Sequence, residues 1–246
     1  MDRMIYTALS GARAAMDRQQ VLSNNLANVN TTGFRAEMAS FTAKEVKGDG
    51  LQTRSHGLEV TLGYNDTAGP VQTTGRALDV AAQGKAMFAI QGLDGTEAYT
   101  RAGSLNVAAD GTLVGHMGLP MLSSNNAPIV VPANAQLQFG NDGTLSATVA
   151  GQPPQVLGRL KLVTPDADNR VARGDDGLFR STVGDNLPTD PNARLIDGAL
   201  EGSNVNPVEA MVGMIATARQ FEINLRMLQN AEKNDQSASR LLNLNN

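Results

Sequence analysis

The 246-residue chain contains no cysteine and no tryptophan, and aromatic residues make up only 4% of it. Without thiols there are no disulfide staples and no thiolate metal ligands. With so few rings, the core has to be built from smaller aliphatic side chains. Lys and Arg number 20 against 24 Asp and Glu, a formal net charge of −4. No basic stretch exists, so the cationic face that nucleic-acid binding needs is missing and no nucleic-acid partner is expected. No segment approaches the roughly 18 successive apolar residues of a membrane span. The opening MDRMIYTALSGARAAMDRQQ lacks the continuous apolar run of a secretory signal, so any export is expected to proceed without a cleavable signal peptide. His56 and His116 are the only histidines, and neither stands in a metal-ligand spacing. Nucleophile elbow, phosphate-binding loop and dinucleotide fingerprint are also lacking. The stretch DADNRVARGDDG, with Asp166, Asp168, Asp175 and Asp176, lacks the ligand pattern and closing Glu of a calcium loop and reads as a solvated turn. No catalytic residue, cofactor, metal site or small-molecule substrate is expected.

What is present is a chain that folds: 41% hydrophobic and 18% charged residues, with 25 glycines, is not the composition of a disordered protein. Residues 2–28 carry Ile5, Leu9, Ala12, Met16, Leu22 and Leu26 mostly at three- and four-residue steps, the period of an amphipathic helix. That stripe is narrow and cannot form a core by itself. It runs into SNNLANVNTTGF, where Asn24, Asn25, Asn28 and Asn30 cluster; Gly33 is a candidate for positive φ, followed by Phe34. Residues 207–242 form a second helical pattern. Asn206 suits the N-cap, Pro207 the first helical position and Glu209 the third. Met211, Met214, Ala218, Phe221, Leu225 and Leu228 then step by three and four, a coiled-coil-like seam that weakens at Glu232 and Asp235 and resumes at Leu241, Leu242 and Leu244. Between the helices, residues 35–75 lack periodicity and read as an extended connector with room for a hairpin. Residues 76–200 show short apolar runs (Met87–Ile90, Ile129–Val131, Arg159–Val163) and repeated Asp-Gly pairs at 94–95, 110–111, 142–143 and 176–177, a hairpin signal.

The expected class is α+β: long N- and C-terminal helices forming a coiled-coil-like inner domain, with an inserted all-β, antiparallel sandwich-like or barrel-like domain. The divisions are 1–34 (first helix), 35–75 (connector), 76–200 (β domain) and 201–246 (last helix). Neither helix stripe has a partner except the other, so both are expected to pack together and then against further copies. Asn-Val-Asn occurs at 28–30 and again at 204–206, closing one helix and opening the other. Buried amides in a bundle set register and partner number. Asn24 and Asn28, one turn apart, are therefore expected to meet a neighbouring helix, and Asn30 to bond locally.

NNLANVNTTGFRAE near the start, LEGSNVNPVEAMVGMIATARQFEIN near the end and GRALDVAAQGKAMFAIQGLDGTEAYTRAGSLNVAADGTLV between them resemble the bacterial flagellar axial proteins of the rod and hook. The opening residues and the length look most like the proximal-rod members, with distal-rod members or another rod or hook subunit as the alternative. The resemblance implies a non-enzymatic building block of the periplasmic rod in the basal body. It implies export through the flagellar type III apparatus, and partnership with copies of itself and other rod proteins in a helical, tubular shaft that carries motor torque. The assembly interface expected on this basis comprises the two helix stripes, the four asparagines, Gly33, Phe34, and Ser203, Asn204, Val205 and Asn206. An all-β cell-wall-processing enzyme, which would need paired carboxylates in a cleft, and an adhesin with a trimeric helical stalk are the readings from other classes.

Overall fold

Long helices open and close the chain in the computed structural model, which describes residues 2–45, 55–166 and 168–243. Helix α1 spans Asp2–Ala27 and helix α2 spans Pro207–Asn243. The strands between them pair antiparallel, so the class is α+β. The helix ends follow local hydrogen-bond needs. The Asn206 side-chain oxygen accepts from the amides of Val208 (3.1 Å) and Glu209 (3.3 Å), satisfying donors that the first turn leaves free. At the other end, the Asn28 amide is shared between the carbonyls of Asn24 and Asn25, each at 3.2 Å. Gly33 then turns the chain at φ +68.

The chain forms two compact units. The first contains residues Met1–Val29, Glu37–Tyr64 and Val205–Asn246: α1, α2, and a hairpin of β1 (Glu37–Glu45) and β2 (Ser55–Tyr64) with a bulge between Met38 and Ala39. Gly11 lies against Asn224 and Gly213 against Leu22, so the helices run antiparallel. Their mutual seam differs from the stripe of larger residues in the sequence. Ala8, Ala12 and Ala15 are buried on α1, and Ala210, Thr217, Asn224 and Ala231 on α2. Met214, Phe221 and Leu228 are half-buried, while Met211, Ala218 and Leu225 are exposed. Small side chains win the seam because they let the backbones approach closely; a Cβ added at Gly213 would already stand 3.2 Å from Leu22. The side chains of Asp235, Leu241 and Leu242, and all of Leu244, lie outside the described residues.

The second unit contains Asn30–Ala36 and Asn65–Asn204. Its largest sheet has five strands in the order 162–163, 87–91, 97–100, 179–181 and 171–173, all antiparallel. A three-stranded sheet joins 155–159, 144–148 and 136–139. Two short ladders pair 195–197 with 80–82 and 199–201 with 71–73, stitching the end of the unit to its beginning. Phe88, Ile90, Leu105, Leu113, Met121, Leu145, Leu160, Leu162 and Leu195 fill the core. The four Asp-Gly pairs make one turn repeated. Gly92, Ala108, Gly140 and Gly174 each donate to the carbonyl four residues on, and each turn glycine donates back three residues. In three of these turns the aspartate caps the amide of the threonine two residues later, and in the fourth Asp176 caps Leu178. The stretch Ile129–Val131 contributes a single bridge, Val130 to Thr112, rather than a strand.

Candidate assembly surfaces and the terminal motifs

The asparagines at the end of α1 have distinct jobs. Asn25 is buried, and its amide pairs with the backbone of Glu37 as a strand would: Asn25 Nδ2 donates to Glu37 O (2.9 Å) and Glu37 N donates to Asn25 Oδ1 (2.8 Å). Asn24 Nδ2 reaches the Glu37 carboxylate at 3.2 Å. Asn28 donates back to Asn24, to its carbonyl at 2.9 Å and to its side-chain oxygen at 3.0 Å. One side-chain cluster thus fixes where β1 leaves in the first unit. Asn30 is exposed.

In the second unit, TTGFR and LEGSN meet. Gly33 donates to Glu201 O at 2.8 Å. A Cβ at Gly33 would stand 2.4 Å from the Arg101 carbonyl carbon, so close approach and positive φ both demand glycine. Phe34 is buried beneath the Arg173 guanidinium, 4.3 Å from its ring centroid. Arg35 is fully buried and pairs with Glu201 at 2.9 Å; the other Glu201 oxygen pairs with Arg101, also fully buried. Glu201 further accepts from Gly69 N at 2.9 Å. Two guanidiniums share one carboxylate, so the cluster carries a buried excess positive charge. Burial pulls the Arg101 pKa below its ordinary value, Glu201 opposes this, and the neighbouring Arg35 charge adds to the depression.

Asn204 then gathers three chain passages of the same unit. Its Oδ1 accepts from Ala36 N (2.6 Å), its Nδ2 donates to Asn65 O (2.9 Å) and Thr67 O (2.8 Å), and its backbone amide donates to Phe34 O (3.2 Å). Each passage leads directly into the first unit along the chain.

The residues expected from sequence at an assembly interface therefore sort into two groups. Ala12, Asn25, Gly33, Phe34 and Ser203 are buried, and Ile5, Leu22, Leu26, Asn28, Asn204, Val205, Met214, Phe221 and Leu228 half-buried, within the chain itself. Leu9, Met16, Asn24, Asn206, Met211, Ala218 and Leu225 face outward. The sequence reading missed Arg101 and Glu201, whose partners are distant along the chain, and the face of Val208, Val212 and Ile215, exposed by 68, 61 and 56%. The signal for that face was available: after Glu209 the sequence AMVGMIA over residues 210–216 is apolar throughout, a pattern that goes with burial all round. Among the described residues, no group of three His, Asp or Glu side chains could hold a metal ion, and no helix is long and apolar enough to cross a membrane.

Comparison with known proteins places three family descriptions on this frame. Residues 5–35 match "Flagella basal body rod protein", residues 81–147 "Flagellar hook protein FlgE/F/G D1 domain" and residues 196–241 "Flagellar basal body rod FlgEFG protein C-terminal". The chain is 41% identical over 255 aligned positions to the flagellar basal-body rod protein FlgF of Salmonella typhimurium, covering 99% of this chain and 100% of that one. Identity and coverage are the same for FlgF of Escherichia coli. The rod protein FlgG of Bacillus subtilis is 31% identical over 95% of this chain and 96% of its own.

Proposed function

The chain belongs to the family of flagellar basal-body rod proteins, and on that premise we propose how it is built into the rod. It is a structural rod subunit of the flagellar basal body. Its place is the proximal rod; the 41% identity to two relatives named FlgF, against 31% to the FlgG of Bacillus subtilis, supports this. Copies of the chain and other rod proteins are its partners, the flagellar type III apparatus exports it, and its role is non-enzymatic. In the rod, α1 and α2 form a coiled-coil-like inner layer, the strands of residues 76–200 act as an inserted all-β outer domain, and the helical shaft so built transmits torque.

The observation that carries this reading is the outward apolar face of the terminal helices. Met16 and Leu225 are 59 and 39% exposed, and Met211, Val212 and Ile215 are each more than half exposed. A soluble monomer has no use for such a face, and a stacked subunit buries it. Leu225→Asp tests it in a deletion strain complemented with the variant. Because Leu225 is exposed in the single chain, the substitution spares its fold while placing a charge in the inter-subunit contact. Loss of swimming and of rods, with the melting of the β core unchanged, is the expected result; normal swimming overturns the assignment. Phe221→Asp, at a half-buried position of α2, should also abolish assembly.

A further inference from the structure

We propose that the chain closes its own second unit with a covalent amide bond between Lys161 and Asn126, formed without a partner and assisted by Glu97. The three side chains come from separate passages of that unit and meet at one point. Lys161 Nζ lies 2.8 Å from the Glu97 carboxylate and 2.8 Å from Asn126 Oδ1. The lysine and glutamate side chains are each 3% exposed. An amine, a primary amide and a carboxylate within reach of one another are a complete set for transamidation: nucleophile, acyl donor and proton carrier.

The backbone holds both reacting groups in place. Lys161 N donates to Leu122 O (2.9 Å), and the Lys161 carbonyl accepts from Ala89 N (3.0 Å). Asn126 sits in a closed turn: its amide donates to Ser123 O (2.8 Å), Ser123 N donates to Ala127 O (2.8 Å), and its φ is +60. A bridge then pairs Ser123 with Leu160, the residue before the lysine. With a carbonyl bond of about 1.2 Å, an amine hydrogen-bonded to Oδ1 stands roughly 3–4 Å from Cγ, and atoms held about 3–3.5 Å apart are poised for attack. Tyr99, itself buried, steadies the glutamate: its hydroxyl bonds the Glu97 carboxylate and accepts from Leu187 N at 2.7 Å.

The step balances within the three side chains. The Lys161 ammonium passes one proton to the Glu97 carboxylate, and the freed amine adds to Asn126 Cγ. The Glu97 acid gives that proton to Nδ2, the Cγ–Nδ2 bond breaks and ammonia leaves. The carboxylate then takes the surplus proton from Nζ. The products are one secondary amide, one neutral carboxylic acid and ammonia; no oxidant, reductant or water takes part. Asn126 is exposed on its turn, which gives ammonia a way out, while the amine and the acid lie where water is excluded. The reaction replaces a buried ion pair, which is costly to keep out of water, and closes a loop between positions 126 and 161 that remains closed in the unfolded chain.

Intact-mass spectrometry of the purified full chain, with its folding checked by circular dichroism, reads the bond directly. The chain is expected to be lighter than its sequence by one ammonia. Trypsin does not cut after an acylated lysine, and residues 102–159 hold no Lys or Arg before Arg159. Residues 102–159 and 160–170 should therefore appear as one branched peptide. Lys161→Arg keeps the positive charge and Asn126→Gly keeps the positive φ; each should restore the full mass and the separate peptides. Glu97→Gln removes the proton carrier, a contribution of about 10²–10⁴-fold, so most of that variant should keep the full mass. A folded chain of full mass, giving 160–161 and 162–170 as separate peptides, overturns the proposal and leaves Lys161 a hydrogen-bonded lysine. Ammonia loss that maps to a residue other than Asn126 overturns it equally, and complete bond formation in Glu97→Gln overturns the part given to Glu97.

Discussion

Glu201 shows how much one side chain can hold. It binds two guanidiniums and the Gly69 amide in a site closed to water. Replacing Glu201 by Gln leaves two buried cations without a counter-charge, and a loss of about 3–5 kcal/mol is expected. Arg35→Met removes the surplus charge and leaves one balanced pair, so it should cost less than Glu201→Gln. Urea unfolding followed by circular dichroism orders the two, and the reverse order would contradict the picture of a charge-rich lock. The turn aspartates set a pH dependence. Asp94 and Asp142 are held below the ordinary value of 3.8 chiefly by the hydroxyls of Thr96 and Thr144, Asp110 by the Thr112 amide and Asp176 by Arg180. A carboxylate whose folded pKa is lowered contributes fully above its unfolded value and loses that contribution as pH falls through the folded one. The second unit should therefore melt at a lower temperature at pH 3 than at pH 6, and Asp142→Asn should flatten the difference.

At the scale of the element, the helices are decided at their ends by capping and along their lengths by the size of the side chain. Asn206→Ala removes an acceptor for two amides of α2 and should cost about 1 kcal/mol of helix stability. Ala12 lies in the tight seam and Met16, one turn on, faces outward. Ala12→Leu should push the helices apart at about 1–3 kcal/mol, whereas Met16→Leu should leave the melting of the isolated chain unchanged. Helicity at 222 nm against temperature separates the two. Similar losses from both would mean that the seam does not depend on small residues. The hairpin of β1 and β2 is tied to α1 through the Asn25–Glu37 pair, so Asn25→Leu should loosen the start of β1 before it affects α2.

For the whole molecule, an uncovered apolar helix face and a self-sufficient β core predict a chain that is monomeric when dilute and associates as concentration rises. Sedimentation velocity across a concentration series measures this; a stable trimer at every concentration would favour a stalk-like assembly instead. Sequence alone determined the two terminal helices, the Asn206 cap, the turn at Gly33 and the Asp-Gly hairpins. These depend on residues within about five positions of one another, where backbone hydrogen bonds and φ preferences act directly. Tertiary structure decided the rest. The stripe of Met211, Met214, Ala218, Phe221, Leu225 and Leu228 suggested one seam, but the buried positions of α2 are Ala210, Thr217, Asn224 and Ala231, with Met214, Phe221 and Leu228 half-buried beside them, because the depth of approach depends on the facing helix and not on one stripe alone. Arg35, Arg101 and Glu201 lie far apart along the chain, and nothing local marks them as partners. They converge because Gly33 lets the chain press against the backbone of Arg101, and a charge buried there has to find its counter-ion within the fold.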